Sequence, residues 1–158
     1  MPTLIRPAEP DDMPRLQEIV VEVWDIGSDW VLEEKYGAVG DRRWDRWLTP
    51  KVMARLWDEL GTTWVTERDG RVVGFIAYGL DRLRRVGTIH YNAVAVECRG
   101  EGLGTRQVEH VLALMREGGM EIAAVGTGLN EGHAAARHMY ERAGFEPVID
   151  YRMYAQRL

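Results

Sequence analysis

Val94-Ala-Val-Glu-Cys-Arg99-Gly-Glu-Gly102-Leu-Gly104-Thr105 sets the order of the elements on either side of it. Before it, Gly87–Val94 reads as a strand, rich in β-branched and aromatic residues. After it, Val108, Val111, Leu112 and Met115 recur at helical spacing until Gly118-Gly119 stops the run. Ile122–Val125 then reads as a short buried strand, which makes a β-α-β crossover with a glycine turn at its first corner. A helix start presents unpaired N–H groups and partial positive charge. Glycine lets main chain approach a ligand closely, so the corner suits a phosphate or pyrophosphate. Arg99 adds a charge-assisted donor. The alternative is a plain glycine-rich turn.

Upstream the period changes. Thr62–Glu67 and Arg71–Leu80 read as strands joined by the hairpin pair Asp69-Gly70. Before them, Thr49 as N-cap, Pro50 in the first turn and Gly61 past the end frame a helix whose inward face is Met53, Leu56, Trp57 and Leu60. Residues 27–40 form a glycine-punctuated stretch. Asp11 caps a helix striped by Met13, Leu16, Ile19, Val20, Val23 and Trp24, and residues 3–6 make an extended start. Downstream, 134–143 is a helix ended by Gly144, and 148–154 a last strand. The expected order is β-α-α-β-β-β-α-β-α-β. That is an α/β (α+β) fold with a mixed, mostly antiparallel central sheet and flanking helices.

Composition narrows the function. The 158 residues form one domain on size, with no linker or repeat to divide them. A net charge of −5 argues against general nucleic-acid binding. One cysteine, Cys98, excludes an internal disulfide framework and a Cys-based zinc site. His133 and His138 are five apart, off one helix face, so no metal pair is expected there. No apolar run reaches membrane-spanning length, and early acidic residues interrupt any signal-peptide core, so a cytoplasmic chain is expected. The turn has no Lys-Ser/Thr pair for a Walker A loop. Its third glycine is one residue early for the dinucleotide fingerprint, which disfavours a dinucleotide-dependent oxidoreductase.

Arg99-Gly-Glu-Gly102-Leu-Gly104 resembles the Arg/Gln-x-x-Gly-x-Gly/Ala signature of the GNAT superfamily of acyl-CoA-dependent N-acetyltransferases. Tyr140-Glu-Arg-Ala-Gly144-Phe145 is similar to the family's Tyr-Glu-x-x-Gly-Phe, and Leu4-Ile-Arg6-Pro7-Ala8 to its opening strand. The resemblance spans nearly the whole chain. It implies acetyl-CoA as co-substrate, lying where the strands at 87–94 and 121–126 splay apart. Main chain of Val94, Ala95 and Val96 would pair with the pantetheine arm. Arg99, Gly100, Glu101, Gly102, Leu103, Gly104 and Thr105 would hold the pyrophosphate. Where the family often has a CoA-contacting asparagine this chain has His133, with Asn130 three residues earlier; both are candidates.

Acetyl transfer needs a neutral amine, an oxyanion donor and a proton for the leaving thiolate. Deprotonating an alkyl amine at neutral pH costs on the order of 4 kcal/mol, so a base must help. By the resemblance Tyr140 is the acid, and main-chain N–H near Val94 donates to the oxyanion. His90 is the base candidate on pKa, with Glu22 and Asp25 as alternatives. Strict alternation puts His90 and Asn92 on the face opposite Tyr91. All six tryptophans fall in the first 64 residues, the acceptor side in the family. Trp24, Trp30 and Asn92 are the acceptor-binding candidates. Trp30, Trp44 and Trp47 sit among acidic residues, which suits a small cationic or peptide amine. A non-catalytic acyl-CoA-binding module stays open, as does a homodimer.

Overall fold

In the computed structural model the described residues are 3–24, 28–38 and 45–158, with backbone alone for 28–30 and 45–48. The strands are β1 (Thr3–Pro7), β2 (Thr63–Arg68), β3 (Arg71–Asp81), β4 (Val86–Val94) and β5 (Ile122–Val125). The helices are α1 (Met13–Val23), α2 (Ser28–Tyr36), α3 (Asp45–Asp58), α4 (Leu103–Glu117) and α5 (Ala134–Arg142). The sheet runs β1-β2-β3-β4-β5. Its first four strands are antiparallel, and β5 joins β4 in parallel. The mixed, mostly antiparallel sheet with flanking helices is the architecture expected from the sequence.

One sheet face packs on α1 and α3. Leu16, Ile19, Val20, Val52 and Leu56 are buried there against Val65 and Phe75. The other face packs on α4 and α5 through Ile76, Ile89, Val108, Val111, Met115 and Tyr140. The hairpin at Asp69-Gly70 is as read: both residues take positive φ, 51° and 75°, as a two-residue turn of this hand requires. The start of α1 is tied to β1 by Arg6, whose guanidinium forks onto Asp12 at 2.8 and 2.9 Å. Asp12 also accepts the Glu9 N–H at 2.8 Å. Asp12, not Asp11, therefore closes this end, and the guanidinium holds its carboxyl below the usual carboxylate range.

Several expectations are corrected. Residues 28–36 form a helix within the stretch read as irregular. Helix α3 begins at Asp45, so Thr49 is not its cap and Pro50 lies inside it. Trp57 is 52 % exposed; Val52 takes its place in the buried face. The strand expected at 148–154 does not form. Those residues pair with nothing in the sheet, and Val148, Ile149, Tyr151 and Tyr154 are exposed. β5 is consequently an edge strand, with Ile122 60 % exposed rather than buried.

Candidate active site

The site begins where the sheet stops being continuous. β4 and β5 pair over four positions, Val86–Ile122 to Ile89–Val125. Beyond Val125 the chain leaves through Gly126 and Gly128, so β4 from His90 to Val94 has no strand beside it on that edge. An unpaired half-strand offers main-chain donors and acceptors in register for an extended ligand.

At its end the chain makes one 3-10 turn, Val96–Cys98, and enters α4. Gly100 and Gly102 have φ of 79° and 78°, a left-handed conformation open to glycine at little cost. The first main-chain bond of α4 runs from Arg106 N–H to Gly102 C=O at 3.1 Å. The N–H groups of Leu103, Gly104 and Thr105 thus stand outside the helix ladder at its positive end. Exposed Arg99 adjoins them. At Gly104 a Cβ would meet Met139 Sδ, near the end of a flexible side chain, at 3.0 Å, so α4 and α5 approach closely at this residue. The arrangement fits a diphosphate carried on an extended arm.

Tyr140 lies under this opening, 8 % exposed. Gly144 ends α5 with φ of 90°, and Phe145 turns back to set its ring 5.7 Å from Tyr140, edge to face. This explains the Tyr-Glu-x-x-Gly-Phe spacing as packing: the glycine reverses the chain and the phenylalanine fixes the tyrosine. Burial pushes the phenol up to about 12, while Asn92 pulls the other way by hydrogen bonding. Asn92 Nδ2 also donates to Gly104 C=O at 3.3 Å, and its Oδ1 is a buried acceptor with no partner.

The alternation expected along β4 fails at a bulge. Ala77 pairs with Tyr91 and Tyr78 with Ile89, so His90 is the extra residue. Its imidazole leans over Gly79, where a Cβ would come within 2.7 Å of the ring, towards the end of α3. His90 Nδ1 lies 2.8 Å from Glu59 Oε2, and Arg55 lies against the ring, its Nη2 3.1 Å from Nε2. Tyr91 faces the same side, packing against the core beneath α1 and α3. Only Asn92 turns to α4 and α5, so His90 and Asn92 do not share a face. Asn92 belongs with Gly104 and Tyr140 rather than with an acceptor pocket.

Trp24 packs edge to face on Tyr91 at 5.5 Å and tilted on Phe75 at 6.1 Å, as part of the core wall. The side chain of Trp30, all of Trp44, the side chain of Trp47 and Asp25 lie outside the described residues. Glu22 reaches the turn rather than an acceptor: its Oε1 accepts the Val96 N–H at 2.8 Å. Asn130 and His133 meet each other, Oδ1 to Nδ1, at 2.6 Å. Arg137 holds their loop by donating to the carbonyls of Gly128 and Asn130. Burial, with Arg137 nearby, keeps the His133 imidazole below its usual range. The sequence reading missed Glu59 and Arg55, whose link to His90 spans about thirty residues and depends on the bulge. Among the described residues no group of three or more His, Cys, Asp and Glu side chains converges to hold a metal. No helix there is long and apolar enough to cross a membrane.

Comparison with known proteins agrees with this geometry. The chain is 32% identical over 110 residues to an uncharacterised N-acetyltransferase of Methanocaldococcus jannaschii, a match covering 66% of this chain and 46% of that protein. The chain thus spans about half the length of that relative. It is 29% identical over 129 residues to an uncharacterised N-acetyltransferase of Archaeoglobus fulgidus, covering 78% and 81% of the two chains. Its fold superposes with TM-score 0.73 on a PaiA N-acetyltransferase from Thermoplasma acidophilum in complex with coenzyme A, at 14% identity over 92% of this chain and 91% of that one. The sequence profile of the acetyltransferase (GNAT) family matches residues 23–145, and the chain belongs to that family.

Proposed function

We propose that this chain is an N-acetyltransferase that binds acetyl-CoA along the free half of β4 and moves its acetyl group to a primary amine. The observation that carries the proposal is one continuous surface. An unpaired strand edge from His90 to Val94 runs into a helix start whose N–H groups and left-handed glycines suit a diphosphate, with a protonated Tyr140 beside it. The Thermoplasma relative was solved with coenzyme A, which supports the same assignment here.

Bound acetyl-CoA supplies an activated acetyl thioester. The residues of this chain do the rest. Main chain of Val94 pairs with the pantetheine arm, and Ala95 and Val96 border it, their N–H groups being held by Val73 C=O and Glu22. Arg99, Gly100, Glu101, Gly102, Leu103, Gly104 and Thr105 form the diphosphate turn, and Asn130 and His133 flank the arm from the loop after β5. Tyr140 retains its proton at neutral pH, because its phenol is raised, and can donate it to a departing thiolate. The same burial raises the basicity of a thiolate beside it. Glu59 can only accept at Nδ1 of His90, so that nitrogen carries the proton; Nε2 faces the Arg55 guanidinium, which must give way before Nε2 takes a proton from the amine, directly or through water. A small cationic or peptide amine is the expected acceptor class, approached from the α1 and α3 face towards which His90 leans.

Thiol release from acetyl-CoA in the presence of a panel of diamines, polyamines, aminoglycosides and N-terminal peptides tests the reaction. Release that saturates with at least one amine, and yields the acetylated product by mass, is the expected result. Acetyl-CoA binding with no release across the panel would favour a non-catalytic acyl-CoA-binding module.

A further inference from the structure

Glu101 lies between the two left-handed glycines of the turn, and a carboxylate there repels the anion the turn is built to receive. Arg68, the last residue of β2, meets it. Nη2 donates to Oε2 at 2.7 Å and Nη1 to Oε1 at 3.2 Å, a two-bond fork that fixes both groups. The Arg68 side chain is only 18% exposed. Its Nη1 also lies 4.0 Å from Sγ of Cys98, which is buried with Val73 and Leu103. One guanidinium, held by the sheet, therefore touches the chain on both sides of Arg99 and Gly100. Gly100 and Gly102 have open space around them, so side-chain packing does not hold the turn at those two residues. The fork supplies a restraint there that the glycines lack.

We propose that Arg68 is a positioning residue for the diphosphate turn. By forking onto Glu101 it holds Arg99–Gly102 in the anion-receiving conformation and cancels the carboxylate charge beside the ligand. The proposal rests on the acyl-CoA reading of the turn.

Calorimetric titration of the full chain with coenzyme A tests it. Folded wild-type protein that fails to bind overturns the acyl-CoA reading itself, and needs no variant to show it. With wild-type binding in hand, Arg68→Gln removes the charge and the fork, and is expected to weaken coenzyme A about tenfold. Arg68→Lys keeps the charge but not the two-bond fork, and should bind between Arg68→Gln and wild type. The double variant Arg68→Gln/Glu101→Gln should regain the part of the loss owed to the uncancelled carboxylate and keep the part owed to the lost restraint. A merely structural arginine would not be rescued by removing its partner. Wild-type affinity in Arg68→Gln, or a double variant that binds no tighter than Arg68→Gln, overturns the proposal. Arg68→Ala is the second truncation if Arg68→Gln folds poorly, judged by the same comparisons.

Discussion

Tyr140→Phe is expected to lower kcat by about 10²- to 10⁴-fold, the range for loss of a positioned acid, with little change in affinity for acetyl-CoA. The ring is buried and packed against Phe145, so phenylalanine fits the same space and the fold is preserved. What is lost is one proton and the hydrogen bond with Asn92. The wild-type pH profile carries a second consequence. A phenol raised to about 12 keeps its proton through the neutral and mildly alkaline range. Any alkaline fall in rate below about pH 10 must then come from another group. Full turnover by Tyr140→Phe under conditions where chemistry is rate-limiting would remove Tyr140 from the mechanism.

Phe75→Ala is expected to lower stability by about 3–5 kcal/mol, read from the urea midpoint at constant slope. Phe75 is fully buried at the centre of β3, between Val65 of β2 and Ala93 of β4, and under the Trp24 ring. Neither neighbouring strand can close on the space, because main-chain bonds hold both at fixed separation. Trp24 in turn supports Tyr91, so the cavity would open directly beneath the free half of β4. A loss under 1 kcal/mol would mean that this face of the sheet is not the packed core described.

Local chemistry made much of this fold readable, and the failures share a cause. The glycine turn, the Asp69-Gly70 hairpin and the stripes of α1 and α4 each depend on neighbours a few residues apart, and each lies where the sequence places it. Helix α2 carries Trp30, Val31 and Leu32 in succession, so no single apolar stripe marks it. Thr49-Pro50 has the form of a helix start, yet α3 begins one turn earlier and passes through the proline. The period at 148–154 suits a strand, but period alone does not dock one: the outer edge of β5 stays unpaired and Val148, Ile149, Tyr151 and Tyr154 stay exposed.

The site divides the same way. Gly100, Gly102 and Gly104 announce their roles through glycine chemistry, and Gly144-Phe145 announces the packing of Tyr140. His90 does not. Its direction is set by a bulge opposite Ala77 and Tyr78, and its partner Glu59 arrives from the end of α3. Arg68 is silent for a similar reason, because its contact with Glu101 exists only once β2 and the turn are brought together.

Calorimetric titration of the purified protein with acetyl-CoA, with NAD as the control, tests the central claim most directly. The account predicts saturable one-site binding of acetyl-CoA and none of NAD, because the glycine spacing and the free strand edge suit a diphosphate on an extended arm. Folded protein that leaves acetyl-CoA unbound would contradict it: the turn from Arg99 to Thr105 would then not be an acyl-CoA site, and the transferase assignment would fall with it.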